Sequence, residues 1–183
     1  MGNSTTGSHE KIPIGVRDYA LVRIGETLCA VPHGEPGPDG QPRAGMFLLR
    51  RVVPWRMPTP VPGTPSNLVL GVAPLGDEDG IEHVEVVVDL AAVLDLPSLD
   101  TPRGVRACIL TYDDGDLVVG LVVDALEGRV QLVPPTNVTS LPFTAGLVFP
   151  AQEHLGAQQE WRVIDVNALI RHIAALLRAP VAA

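Results

Sequence analysis

Three aspartates, Asp89, Asp124 and Asp165, each stand at the end of an apolar, β-rich run. Two such carboxylates held face to face are the apparatus of acid proteolysis, because neighbouring like charges split their pKa values into one acid and one base. That apparatus also needs a small hydroxyl residue and a glycine directly after each aspartate, to form a tight hydrogen-bonded loop. Here the triplets are Asp89-Leu90-Ala91, Asp124-Ala125-Leu126 and Asp165-Val166-Asn167. The aspartates therefore read as helix caps or turn formers, not as a catalytic pair.

The histidines His9, His33, His83, His154 and His172 include no pair at i, i+3 or i+4, so no helix face offers metal ligands. His83, bracketed by Glu82 and Glu85, and His154 beside Glu153 read as solvated polar positions. Cys29 and Cys108 stand singly in apolar, strand-like runs without metal spacing. Buried thiols are the leading reading, with a disulfide or redox role as the alternative. Neither common phosphate-binding glycine loop nor a G-x-S-x-G elbow is present. No catalytic residue, metal or cofactor is expected.

The balance of 13 basic against 21 acidic residues, net −8, and the seven aromatics (two Trp, two Tyr, three Phe) remove both the phosphate-neutralising field and the stacking platforms of nucleic-acid binders. An anionic membrane surface is disfavoured by the same charge. No apolar run of about 18 residues exists, and Met1 to Glu10 is too polar for a signal segment, so the expectation is a cytoplasmic protein without membrane insertion.

A chain of 183 residues predicts one domain or two small, intimately packed units. Hydrophobic residues at 46% and charged ones at 19% predict a folded chain, while 18 glycines and 18 prolines predict short elements and many turns. Residues 1–17 read as a flexible arm, 18–178 as the folded domain and 179–183 as a tail. Tyr19 to Ile24 and Thr27 to Val31 flank Gly25-Glu26 as a hairpin. Residues 32–45 form a Pro/Gly-rich insertion unable to pair in a sheet. Met46 to Val53 reads as a helical turn or a strand, leading into the proline-spaced Pro54 to Pro65.

Further strands are predicted over Leu68 to Leu75, Val84 to Val88, Val105 to Tyr112 and Leu117 to Val123, the last two around the turn signal Asp113-Asp114-Gly115-Asp116. Shorter β runs follow near Val130, at Ala145 to Phe149 and at Trp161 to Ile164. A short helix is predicted at Asp89 to Leu94. From Val166 to Arg178 a closing helix carries Val166, Leu169, Ile170, Ile173, Leu176 and Leu177 on one stripe.

A weak internal repeat organises these elements. Asn67 to Pro74 resembles Phe143 to Pro150, and Val87 to Leu94 resembles Val163 to Ile170. Glycine to aspartate spans 18 residues in one copy (Gly71 to Asp89) and 19 in the other (Gly146 to Asp165). In each copy a strand ends, an aspartate caps the next helix, and apolar residues at i, i+3 and i+4 dock that helix on the sheet. Two such units, each too small to bury much alone, should share a core and leave an apolar seam for a partner.

The order Tyr19-Ala20-Leu21-Val22-Arg23-Ile24-Gly25, Pro62-Gly63-Thr64-Pro65, Val69-Leu70-Gly71-Val72, Val86-Val87-Val88-Asp89-Leu90 and Val118-Val119-Gly120-Leu121-Val122-Val123-Asp124 resembles the CheW-like domain of bacterial chemotaxis coupling proteins. With the Trp161 to Asp165 ending, the resemblance runs from about Tyr19 to Leu177. It implies a mainly β fold of two intertwined SH3-like five-stranded barrels with short helices and a C-terminal amphipathic helix. It also implies a non-catalytic adaptor, joining the cytoplasmic tip of a chemoreceptor to the regulatory domain of a histidine kinase. An SH3-like binding or structural module working without a kinase is the alternative.

Carried onto this chain, the apolar groove residue falls on Leu49, with Arg51 and Val52 beside it. The receptor-contact positions fall on Gly71, Cys108, Gly120 and Leu126. Leu49 and Leu126 can equally be core, and Gly71 and Gly120 can equally serve close strand approach. Two departures stand out. The family's Asn-Leu-Arg-Gly arginine falls on Gly76, and its acidic partner position falls on Arg51, so both ends of that ion pair are altered. This predicts a diverged partner surface, with Asp89 and Asp165 kept as structural caps.

Overall fold

The computed structural model describes residues 16–34, 38, 46–64, 68–76, 82–97, 107–113, 117–137, 139–148 and 160–178, with the side chains of Leu75, Gly76, Glu82 and His83 excepted. Most of the expected arm, most of the Pro/Gly-rich insertion, the Asp114-Gly115-Asp116 turn, His9, His154 and the tail lie outside the described residues.

Runs rich in valine and leucine, cut at short intervals by glycine and proline, give ten strands and two helices among the described residues. They are β1 (Arg17–Ile24), β2 (Thr27–Pro32), β3 (Leu48–Pro54), β4 (Val69–Gly76), β5 (Glu82–Asp89), α1 (Leu90–Val93), β6 (Cys108–Asp113), β7 (Val118–Val123), β8 (Ala125–Leu132), β9 (Thr144–Val148), β10 (Trp161–Ile164) and α2 (Val166–Arg178). The open choice at Met46 to Val53 resolves to strand. The β signal near Val130 extends over the whole of β8.

Two five-stranded sheets result, ordered β8-β1-β2-β10-β9 and β3-β6-β7-β5-β4. The orders superimpose strand for strand, with one parallel pair in each, β2 with β10 and β7 with β5. The second sheet is contiguous in the chain. The first takes its hairpin β1-β2 from the N-terminus and its remaining strands from the C-terminal half, so the two units are wound through one another.

Irregularities repeat as well. β4 shifts register between Val69 and Gly71, and β9 against β10 at the equivalent point between Thr144 and Gly146. β3 shifts between Leu49 and Arg51, and β8 against β1 between Leu126 and Gly128. Just before each strand–helix junction, the Asp89 amide donates to the Leu68 carbonyl and the Asp165 amide to the Phe143 carbonyl, both at 2.9 Å. The carboxylates then accept from the helix amides of Ala91 and Ala168, both at 3.0 Å.

Alternation along the strands sends one face of both sheets into a single shared core. Val22, Ile24, Cys29 and Val31 of the first sheet meet Leu110, Tyr112, Val119 and Leu121 of the second, with Leu169, Ile170 and Ile173 of α2 and Leu90 of α1. The opposite faces carry smaller clusters, Leu21, Leu28 and Trp161 in one unit and Ala73, Val87, Ile109 and Val122 in the other.

The glycine shared by the two copies has a steric reason. A proline-rich segment crosses the outer edge of each sheet. Thr59 bridges Val72 of β4 through backbone bonds of 2.7 and 2.9 Å, and Asn137 does the same for Leu147 of β9 with its side-chain amide, at 3.0 and 3.2 Å. Gly71, at φ +142°, lies under the Thr59 carbonyl, and Gly146 lies under Pro135 and Asn137; a Cβ at either would overlap the crossing segment. Both outer edges are thereby covered against further strand pairing. The edges left over, β3 and β8, face each other.

Candidate functional site

The seam between those edges is built by one extra residue in each strand. Without a bulge, Leu49 and Arg51 would project to the same side of β3. The insertion of Arg50 sets Leu49 opposite Tyr112 and Arg51 opposite Thr111, on opposite faces of the sheet. Leu49 thus packs on the shared core. In β8 the equivalent insertion is Glu127, which leaves Leu126 opposite Val22 and Gly128 opposite Leu21.

His33 ties the first sheet to the β3 edge of the second. Its amide donates to the Asp18 carbonyl of β1 at 3.0 Å, and its own carbonyl accepts from the Leu49 amide of β3 at 2.8 Å. The Tyr112 hydroxyl, on the second sheet, donates to the Pro32 carbonyl of the first at 2.7 Å. Asp124 fixes the far end, accepting from the Gly25 amide at 2.7 Å.

Between these ties lies a cavity of about 180 Å³. Its apolar wall is Ala20, Leu49, Val52 and Leu126, and its polar wall is His33, Arg50, Arg51 and Arg129. Val52 and Leu126 remain 39% and 38% exposed although both are apolar. Four of the sequence-derived positions, Leu49, Arg51, Val52 and Leu126, therefore meet here. Cys108 adjoins them through a hydrogen bond from the Leu126 backbone; burial nevertheless pushes its thiol up.

The other three positions lie elsewhere. Gly71 is under the Thr59 crossing, Gly120 is buried in β7 between Val87 and Thr111, and Gly76 pairs with Glu82 at the end of β4. An apolar seam was expected from sequence, and the structure corrects this. Its four titratable lining groups are three arginines and a histidine, with no carboxylate among them.

Those cations differ in how they are compensated. Arg50 Nε donates to Asp113 at 3.1 Å. Arg51 turns inward and its Nη2 meets Glu85 Oε1 at 2.5 Å, with the Glu85 side chain only 1% exposed. The register sets Arg51 beside Thr111, Thr111 beside Gly120, and Gly120 beside Val87, two residues from Glu85 on the same face of β5. Gly120, lacking a side chain, leaves that face open between Arg51 and Glu85. The Glu85 carboxylate is thus a buried counter-ion, a role the sequence did not signal. In the matching place of the first sheet stands Trp161, an apolar side chain.

Arg129 is exposed, and its described contact is the His33 ring, Nη2 to Nδ1 at 3.4 Å. Burial, and next the Arg129 charge, hold the His33 imidazole below its ordinary range, while Asp18 opposes them.

A larger cavity, about 400 Å³, opens at the end of the first sheet among Tyr19, Pro32, Met46, Phe47, Pro134 and Asn167. Its polar groups are already engaged. Asn167 Oδ1 accepts from the Phe47 amide at 2.9 Å, Asp165 caps α2, and Asp18 accepts from Gln131 at 3.1 Å. None of the sequence-derived partner positions lines it. Among the described residues no three His, Cys, Asp or Glu side chains converge as metal ligands, and no helix is long and apolar enough to cross a membrane.

The sequence model of the CheW-like domain matches residues 45–174, more than half of the chain. The chain belongs to the CheW-like domain family. The crystal structure of the scaffolding protein TtCheW from Thermoanaerobacter tengcongensis is similar in fold, with a TM-score of 0.61 at 18% identity, over 89% of this chain and 92% of that one. No curated protein matches in sequence.

Proposed function

We propose that this CheW-like protein is a cytoplasmic, non-catalytic adaptor that couples the cytoplasmic tip of a chemoreceptor to the regulatory domain of a histidine kinase. The observation that carries the reading is the gathering of Leu49, Val52 and Leu126 at the seam between the two sheets, where two apolar side chains stand more than a third exposed beside the core. A helix laid in that groove covers Val52 and Leu126 and gains roughly 1 kcal/mol from each. Individual contacts of that size are weak, and linked contacts to receptor and kinase supply the rest. The change at Gly76 and the inward turn of Arg51 favour a partner surface diverged from the family's usual one.

The test is a reconstituted mixture of receptor fragment and kinase. Adding the protein should change the phosphorylation rate, and Leu126→Arg should abolish the change while leaving the fold intact. An unchanged rate would favour a binding module that works without a kinase. Normal affinity for both the classical receptor tip and the classical kinase regulatory domain would refute the divergence.

A further inference from the structure

The seam collects positive charge on a chain whose net charge is −8. Arg50 and Arg51 are neutralised from within by Asp113 and Glu85. Arg129 is not: no carboxylate among the described residues pairs with it, and it faces an imidazole whose other nitrogen, Nε2, is buried without a hydrogen-bond partner. Arg129 pairs across β1 with Ala20, so its stem rises from the same wall as Leu126 and flanks the apolar floor. A cation held beside a partly exposed apolar pair, contacting an imidazole while the nearby Asp18 carboxylate is engaged by Gln131, is half of an interaction.

We propose that the helical partner seated in the seam carries a carboxylate beside its apolar contact residues, and that this carboxylate pairs with Arg129. The inference rests on the reading of the seam as the docking groove and adds the partner's chemistry: an acidic, amphipathic helix. Arg129 selects it, because a partner cation in the same place meets the Arg129 guanidinium and loses rather than gains. The overall negative charge of the chain repels acidic partners elsewhere on the surface, so the seam is also where such a helix is steered.

The experiment measures binding of the full chain to a chemoreceptor cytoplasmic hairpin made in three versions, with Glu, Gln or Lys beside the apolar tip positions. The Glu version should bind at least tenfold more tightly than the Lys version, with Gln between, and added salt should narrow the difference. Arg129→Glu should reverse the order, and Arg129→Gln should bring the Glu and Gln versions together. Equal affinities in the unaltered protein, or an order unchanged in Arg129→Glu, would overturn the charge inference and leave the groove reading standing. Binding by none of the versions, or binding that survives Leu126→Arg, would instead remove the groove reading, and this inference with it.

Discussion

At the scale of single residues, the Arg51–Glu85 pair is the feature hardest to account for by stability alone. Buried ion pairs often contribute less than apolar side chains of the same size, and the first sheet fills the matching place with Trp161. Removing one partner is a different matter. Arg51→Ala should destabilise the protein by about 3–5 kcal/mol, because it takes the guanidinium away from the buried Glu85 carboxyl, whereas Arg51→Leu combined with Glu85→Leu should cost far less. Urea unfolding of the two variants checks this. The His33 imidazole has its folded pKa depressed, so the unfolded chain binds more protons around the ordinary histidine range. Stability should therefore be full above that range and fall as pH drops through it, and His33→Gln should flatten the slope. Burial pushes Cys29 up to about 12, so its thiol should react with a disulfide reagent at neutral pH only on unfolding. The aspartate caps could be read from the order strand, Asp, helix. The role of Glu85 could not, since it depends on which strand comes to lie across from β3.

Among the elements, the repeated glycine was legible as a pattern but not as a reason. Val69-Leu70-Gly71-Val72 and Thr144-Ala145-Gly146-Leu147 each announce an apolar strand with a glycine, and nothing local says that a proline-rich segment will cross above it. Gly71→Ala needs a backbone conformation rare for residues with a side chain and also meets the Thr59 carbonyl. It should lower stability by about 1–3 kcal/mol or more, and Gly146→Val should detach the Asn137 crossing and expose the β9 edge. Amide exchange at Val72 and Leu147 reads both effects. The helix α2 and the strand β10 were plain from periodicity and alternation. β8 was not, because its bulge at Glu127 and the glycine after it break the alternation that identifies a strand. The seam's basic wall was hidden for a similar reason, being assembled from β3, β8 and the end of β2.

For the molecule as a whole, the sequence repeat showed two units but not their winding. Strand order alone places β1-β2 in the sheet completed by β10, and short-range patterns carry no signal for so distant a pairing. Because the core is common to both sheets, a fragment over 46–124, although it holds all five strands of the second sheet, should not fold; circular dichroism and proton spectra of the isolated fragment test this. The parallel pairing of Leu28 with Trp161 has a further consequence during synthesis. A nascent chain leaving the ribosome releases every strand of its second sheet early, but the hairpin β1-β2 must wait, one side bare, until Trp161–Ile164 has emerged. A product cut short before β10 therefore lacks the strand that closes the β1-β2 hairpin into its sheet, and cells making this protein should produce either the complete fold or a substrate for proteolysis.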